Sequence, residues 1–257
     1  MIVMINMNAN RLMLLDCLVK NAQTWPFCLA LWEGGAAANN RVDQFSDLDL
    51  IFCVEDDNVE ESFRNIDFIL SSVGKIKHRY RLPEPTWNGH SQCYYKIAEM
   101  PEYFFVDVVV IKKSASGKPL ETERHGTPVV HFDKLNIVKN VSADTEEFRK
   151  KMRDRIEAIE ASFPIYKAIV IKELYRQRSL DSLAFFRILV GFYVELLGMK
   201  HRPFHYDFGL RYAHIEFPEE VQKDIVNFSY IINIEEIQKK LEPLSSKIEN
   251  LLSALKV

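Results

Sequence analysis

Two aspartates two residues apart, Asp47 and Asp49, interleave with Leu48 and Leu50 shortly after a Gly34-Gly35 pair. Side chains alternate along a strand, so the two carboxylates would share one face, about 7 Å apart, with the leucines turned into a core. Adjacent carboxylates repel, and a divalent cation relieves that repulsion best. The glycine pair follows an apolar run, Phe27 to Trp32, and precedes Ala36-Ala37-Ala38, a good helix former. Backbone amides at such a turn can meet phosphate oxygens. A glycine turn for phosphate beside paired acids for magnesium describes a nucleotide site.

A third acid belongs with these two. The run Tyr103 to Ile111, YFFVDVVVI, is apolar on both faces except at Asp107. Such a run predicts a central strand, where an unpaired carboxylate is costly, so Asp107 requires a metal, a cation or a hydrogen-bond network.

The glycine pair, the eleven residues after it and Asp47-Leu48-Asp49 resemble the signature of the DNA polymerase β-type nucleotidyltransferase superfamily. Arg41, Asp43, Phe45 and Ser46 also fit the form Arg-x-Asp-x-Phe/Tyr-Ser-Asp-Leu-Asp-Leu found in its small-molecule members, of the aminoglycoside and lincosamide type. The departure is Gly35, where many members carry serine and with it a hydroxyl for phosphate. The resemblance covers about residues 27 to 111. It implies that Asp47, Asp49 and Asp107 hold Mg2+, with Asp107 as third ligand or general base. It implies that Gly34, Gly35, Ser46 and Arg41 contact the nucleotide. The implied reaction moves a nucleoside monophosphate, AMP from ATP, to a hydroxyl of a small-molecule acceptor and releases pyrophosphate, as in antibiotic-resistance enzymes. Two alternatives stay open: an AMP-transferase acting on proteins, and a non-catalytic nucleotide- or partner-binding protein.

The elements that must position these groups follow from periodicity. Leu12, Leu15, Leu18 and Val19 predict a leading amphipathic helix over Asn10 to Ala22, and Phe63, Ile66, Ile69 and Leu70 a second, ended by Gly74. Lys75 to Leu82 reads as a charged strand or extended segment, Ser91 to Glu99 and Val129 to Asp133 as strands, and Lys112 to Thr127 as a loop. From residue 143 helical periodicity dominates, predicting helices over Thr145 to Arg178, Ser179 to Met199, Pro218 to Ile231 and Glu235 to Leu255. The expected fold class is therefore α+β: a polymerase-β-like mixed sheet with flanking helices in residues 1–141, then an all-helical bundle in residues 142–257 forming the other wall of a cleft.

Composition narrows the partners. The chain has 257 residues, 47% hydrophobic and 27% charged, with a net charge of −3, so no basic field favours nucleic acid. Cys17, Cys28, Cys53 and Cys93 are widely spaced and suggest neither a disulfide framework nor zinc. The apolar window Leu180 to Met199 contains Asp181, Arg187 and Glu195, which argues for a bundle helix over a membrane span. The beginning of the chain lacks a basic start and cleavage site, so a cytoplasmic location is expected. His201, His205 and His214 carry no metal-ligand spacing.

Overall fold

The computed structural model describes residues 7–84, 86, 89–115, 118 and 120–256. The chain divides into two compact units, Met1–Ser142 and Ala143–Val257. In order, the first contains α1 (Met7–Ala22), β1 (Cys28–Glu33), α2 (Gly35–Ala38), β2 (Leu48–Val54), α3 (Val59–Val73), β3 (Ile76–Arg81), β4 (Ser91–Ile97), β5 (Val106–Lys112), α4 (Thr122–His125) and β6 (Val129–Asp133). The second contains α5 (Thr145–Tyr175), α6 (Ser179–His201), α7 (Ala213–Glu216), α8 (Glu219–Ser229) and α9 (Ile234–Leu255). The architecture is α+β, a six-stranded mixed sheet with flanking helices followed by helices throughout. The segment expected to be loop from Lys112 to Thr127 contains the single helical turn α4, and its residues 116, 117 and 119 lie outside the described residues.

The sheet order is β3-β4-β5-β2-β1-β6. β2 and β5 run parallel in the middle, and the other neighbours are antiparallel. A parallel pair needs a crossover, and α3 with the β3–β4 hairpin makes it between β2 and β5. β3 closes one edge with Lys77, His78, Arg79 and Arg81, charges that discourage pairing with another chain.

Alternation along the central strands separates two cores. Leu48, Leu50, Phe52 and Val54 of β2 join Val106, Val108 and Val110 of β5 against Leu14, Leu15 and Leu18 of α1 and Phe63, Ile66 and Leu70 of α3. Each such side chain, when fully buried, contributes about 1.5–3 kcal/mol. The opposite face is covered less completely. Ile51, Cys53, Trp32 and Ile111 pack there against Leu120, with Ala115, Ile137 and Val138 at the margin. Asp49 and Asp107 belong to this second face by alternation and stay half-buried.

The helical unit has its own core, built largely on α6. By length and composition α6 could cross a membrane, yet 61% of its most apolar window is buried inside the protein. Its Glu195 pairs with Arg155 of α5 at 2.6 Å, and that guanidinium lies over Phe192. Asp144 caps α5 by accepting from the Glu146 and Glu147 amides, and Asn233 caps α9 through the Glu236 amide. His205 sits 2.9 Å from Glu216, which also pairs with Arg202 at 3.1 Å. None of the four cysteines is in a disulfide.

Candidate active site

β1 is buried along its whole length and delivers the chain to the glycine turn. The Gly34 amide donates to the Asp49 carbonyl at 3.0 Å, so it continues the sheet and is not spare for a phosphate. Gly35 then takes φ +52°, a left-handed conformation that glycine adopts at no steric cost. A Cβ on residue 35 would meet Asp49 Oδ2 at 1.8 Å and Cγ at 2.5 Å. The absence of a side chain here is therefore what admits the Asp49 carboxylate, and the serine of the related pattern has no room in this arrangement.

The segment from α2 to β2 is a chain of local hydrogen bonds. The Arg41 amide donates to the Ala36 carbonyl at 2.9 Å and closes the turn after α2. The Asp43 carboxylate accepts from the Phe45 amide and the Ser46 hydroxyl, each at 2.9 Å, and Ser46 Oγ accepts from the Asp43 amide at 2.9 Å. The Ser46 hydroxyl, with the Phe45 amide, holds the Asp43 carboxyl below its usual range. Ser46 thus shapes the turn that leads into Asp47.

Asp47 lies just before β2 and is half-buried. Its carbonyl accepts from Arg11 Nε at 3.0 Å, and Arg11 Nη2 pairs with Glu33 at 2.9 Å. The Arg11 and Glu33 side chains are only 8% and 4% exposed, so the pair is buried behind the sheet. Sequence reasoning missed both. The signal was present: Arg11 shares the helical stripe of Leu14, Leu15 and Leu18, and Glu33 ends a run that is otherwise apolar. A charge on a core stripe must have a partner.

Asp49 and Asp107 face each other across the parallel β2–β5 pair as Cα partners. Neighbouring strands are about 4.8 Å apart, so two carboxylates at one level of one face are close neighbours. Gln92 Nε2 donates to both oxygens of Asp107, at 2.8 and 2.9 Å, and to the Tyr94 hydroxyl at 2.8 Å. Tyr94 stands opposite Asp107 in the β4–β5 ladder. Among the described residues no three His, Cys, Asp or Glu side chains are grouped as a ready-made metal site. Asp49 and Asp107 are brought together by the sheet, with Asp47 two residues before Asp49.

A pocket of about 100 Å³ adjoins the glycine turn. Trp32 and Ile51 give it apolar surface, Gly34 and Gly35 line one part, and His125 and Gly126 another. Gly126 has φ +77°, and a Cβ there would meet the Ala38 carbonyl oxygen at 2.5 Å. The Thr127 amide donates to that same oxygen at 2.8 Å, which ties the α4 turn to the end of α2. His125, paired with Glu121 at 3.3 Å, is a third residue that sequence reasoning did not single out.

Two solved adenyltransferases are similar in structure. One is an aminoglycoside 6-adenyltransferase from Bacillus subtilis, at a TM-score of 0.33 and 12% identity, over 94% of this chain and 88% of that one. The other is spectinomycin adenyltransferase AAD(9) from Enterococcus faecialis with ATP and spectinomycin, at a TM-score of 0.35 and 10% identity, over 97% and 99%. No family model and no curated protein sequence matches the chain.

The donor set suits a hard cation. Asp47, Asp49 and Asp107 offer carboxylate oxygens alone, which fits Mg2+ better than zinc or copper. Magnesium is commonly held by one or two carboxylates, the remaining positions going to water and substrate phosphates. Two in-register aspartates beside a pocket therefore fit that ion without a complete protein cage.

Proposed function

We propose that this chain is a cytoplasmic, magnesium-dependent nucleotidyltransferase that moves AMP from ATP to a hydroxyl of a small molecule. The observation that carries this reading is the register of Asp49 with Asp107, beside a glycine turn packed directly on Asp49. Asp49 and Asp107 would hold Mg2+ together with Asp47. The ion, when bound, neutralises phosphate charge and polarises the phosphoryl group. The acceptor oxygen attacks the α-phosphorus in line, a new P–O bond forms, and the bond to the departing pyrophosphate breaks. Asp107 takes the hydroxyl proton. Its position at the middle of the sheet, supported by Gln92, suits a base that must keep one orientation. Arg41 and Ser46 support the loop in front of Asp47, and the pocket at Gly35 and His125 would receive phosphate oxygens of the nucleotide.

The test is pyrophosphate release from ATP and Mg2+ in the presence of a panel of hydroxylated small molecules, aminoglycosides and spectinomycin included. Acceptor-dependent release that EDTA abolishes supports the reading. Label from α-labelled ATP on protein bands of a lysate, with no small acceptor used, would replace it by transfer to proteins. Neither outcome together with no magnesium-dependent ATP binding would leave a non-catalytic protein.

A further inference from the structure

Gln92 is 7% exposed, on β4, one strand away from the strand that carries Asp107. Its Cα partner is Val109, so it reaches Asp107 diagonally across the β4–β5 ladder. A single amide nitrogen lies within hydrogen-bond distance of both carboxylate oxygens and of the Tyr94 hydroxyl. A buried amide needs such partners, and here two of the three are the oxygens of one acid.

We infer that Gln92 is the positioning residue of Asp107, setting the plane in which that carboxylate meets a divalent cation and the acceptor hydroxyl. The inference rests on the nucleotidyl-transfer reading and deepens it. A carboxylate has about four lone-pair directions. Gln92 engages both carboxylate oxygens from the side facing β4 and so fixes how the carboxylate is turned. A lysine or arginine in its place would supply a positive charge that competes with the metal. The amide orients the acid and adds no charge.

The experiment uses Gln92→Met, close in shape and lacking the donor, in the full chain. Mn2+ serves as the probe, with binding to the ATP complex read by EPR and turnover by pyrophosphate release. Loss of a group that orients a metal ligand weakens metal binding about 10- to 100-fold. The expected result is a rise of that size in the Mn2+ Kd and a comparable fall in kcat, with little change in the KM for the acceptor and an unchanged melting temperature. In an Asp107→Asn background the same substitution should leave the Mn2+ Kd unaltered, because the two residues act as one unit. A merely structural Gln92 would give the same effect in both backgrounds. If Gln92→Met does not fold, Gln92→Thr, a good strand former too short to reach Asp107, carries the same expectations. Wild-type Mn2+ affinity and turnover in a folded variant overturn the Gln92 assignment alone. A wild type that neither binds Mn2+ with ATP nor releases pyrophosphate overturns the parent reading as well.

Discussion

The carboxylate of Asp49 occupies the space that a side chain on Gly35 would fill. A Cβ there would lie 1.8 Å from Asp49 Oδ2, and the backbone of Gly35 is left-handed, at φ +52°. Two separate penalties therefore guard one position. The turn and the acid are one steric unit, and moving either moves the other.

Gly35→Ala should accordingly lose at least tenfold in turnover, because the methyl group must displace the Asp49 carboxylate from its place opposite Asp107. The left-handed backbone adds a stability cost of about 1–2 kcal/mol. Urea unfolding and pyrophosphate release on the same preparation check both halves. Turnover within twofold of the wild type would show that Asp49 can be displaced without consequence.

Asp49→Asn, Asp107→Asn and Asp47→Asn should each reduce turnover by two orders of magnitude or more. Their melting temperatures should hold level or rise, since each change relieves repulsion between neighbouring carboxylates. Active variants, or a large fall in melting temperature, would assign these acids to the scaffold.

Arg11→Met removes the donor to the Asp47 carbonyl and strands Glu33 as a buried charge. Breaking a buried pair from one side costs about 3–5 kcal/mol. The double variant Arg11→Met/Glu33→Met should recover most of that stability, while turnover stays low because Asp47 has lost its hold. Recovery of both would make the pair purely structural.

His131 lies by Glu33 and Arg11, and burial pushes its imidazole below the ordinary value of 6.5. The unfolded chain then binds more protons than the folded one between that lowered value and 6.5, so stability falls as pH drops through this window. In His131→Gln the fall should be shallower. Burial, followed by the neighbouring Lys200, also lowers His201; its effect is common to both proteins and cancels in the comparison. Chemical unfolding at pH 7.5, 6.5 and 5.5 gives the result, and parallel curves would refute it.

ATP with Mg2+ should raise the melting temperature, as a ligand selective for the folded state does. EDTA should remove the shift, and so should Asp49→Asn. A shift of equal size without the metal would put the nucleotide elsewhere.

The local parts of this arrangement were legible in the sequence because their causes are local. An apolar run broken by Gly34-Gly35 and resumed around Asp49 reads as strand, turn and strand, which β1, α2 and β2 are. Asp107 announced itself as the one charge in an apolar run. The helices of the second unit followed from their 3.6-residue stripes. What tertiary structure decided was which strand lies beside which. Nothing in the alternation of β2 or β5 says that they pair in parallel, or that Asp49 meets Asp107 rather than a residue two positions away. That register is set by the crossover between them, in which α3 packs on one face of the sheet and the β3–β4 hairpin extends it beyond β5, contacts spread over the whole unit. Which partners Arg11, Glu33 and Gln92 take was hidden for the same reason. Each is a polar residue on a buried face, and its partner exists only once the helix or neighbouring strand has docked.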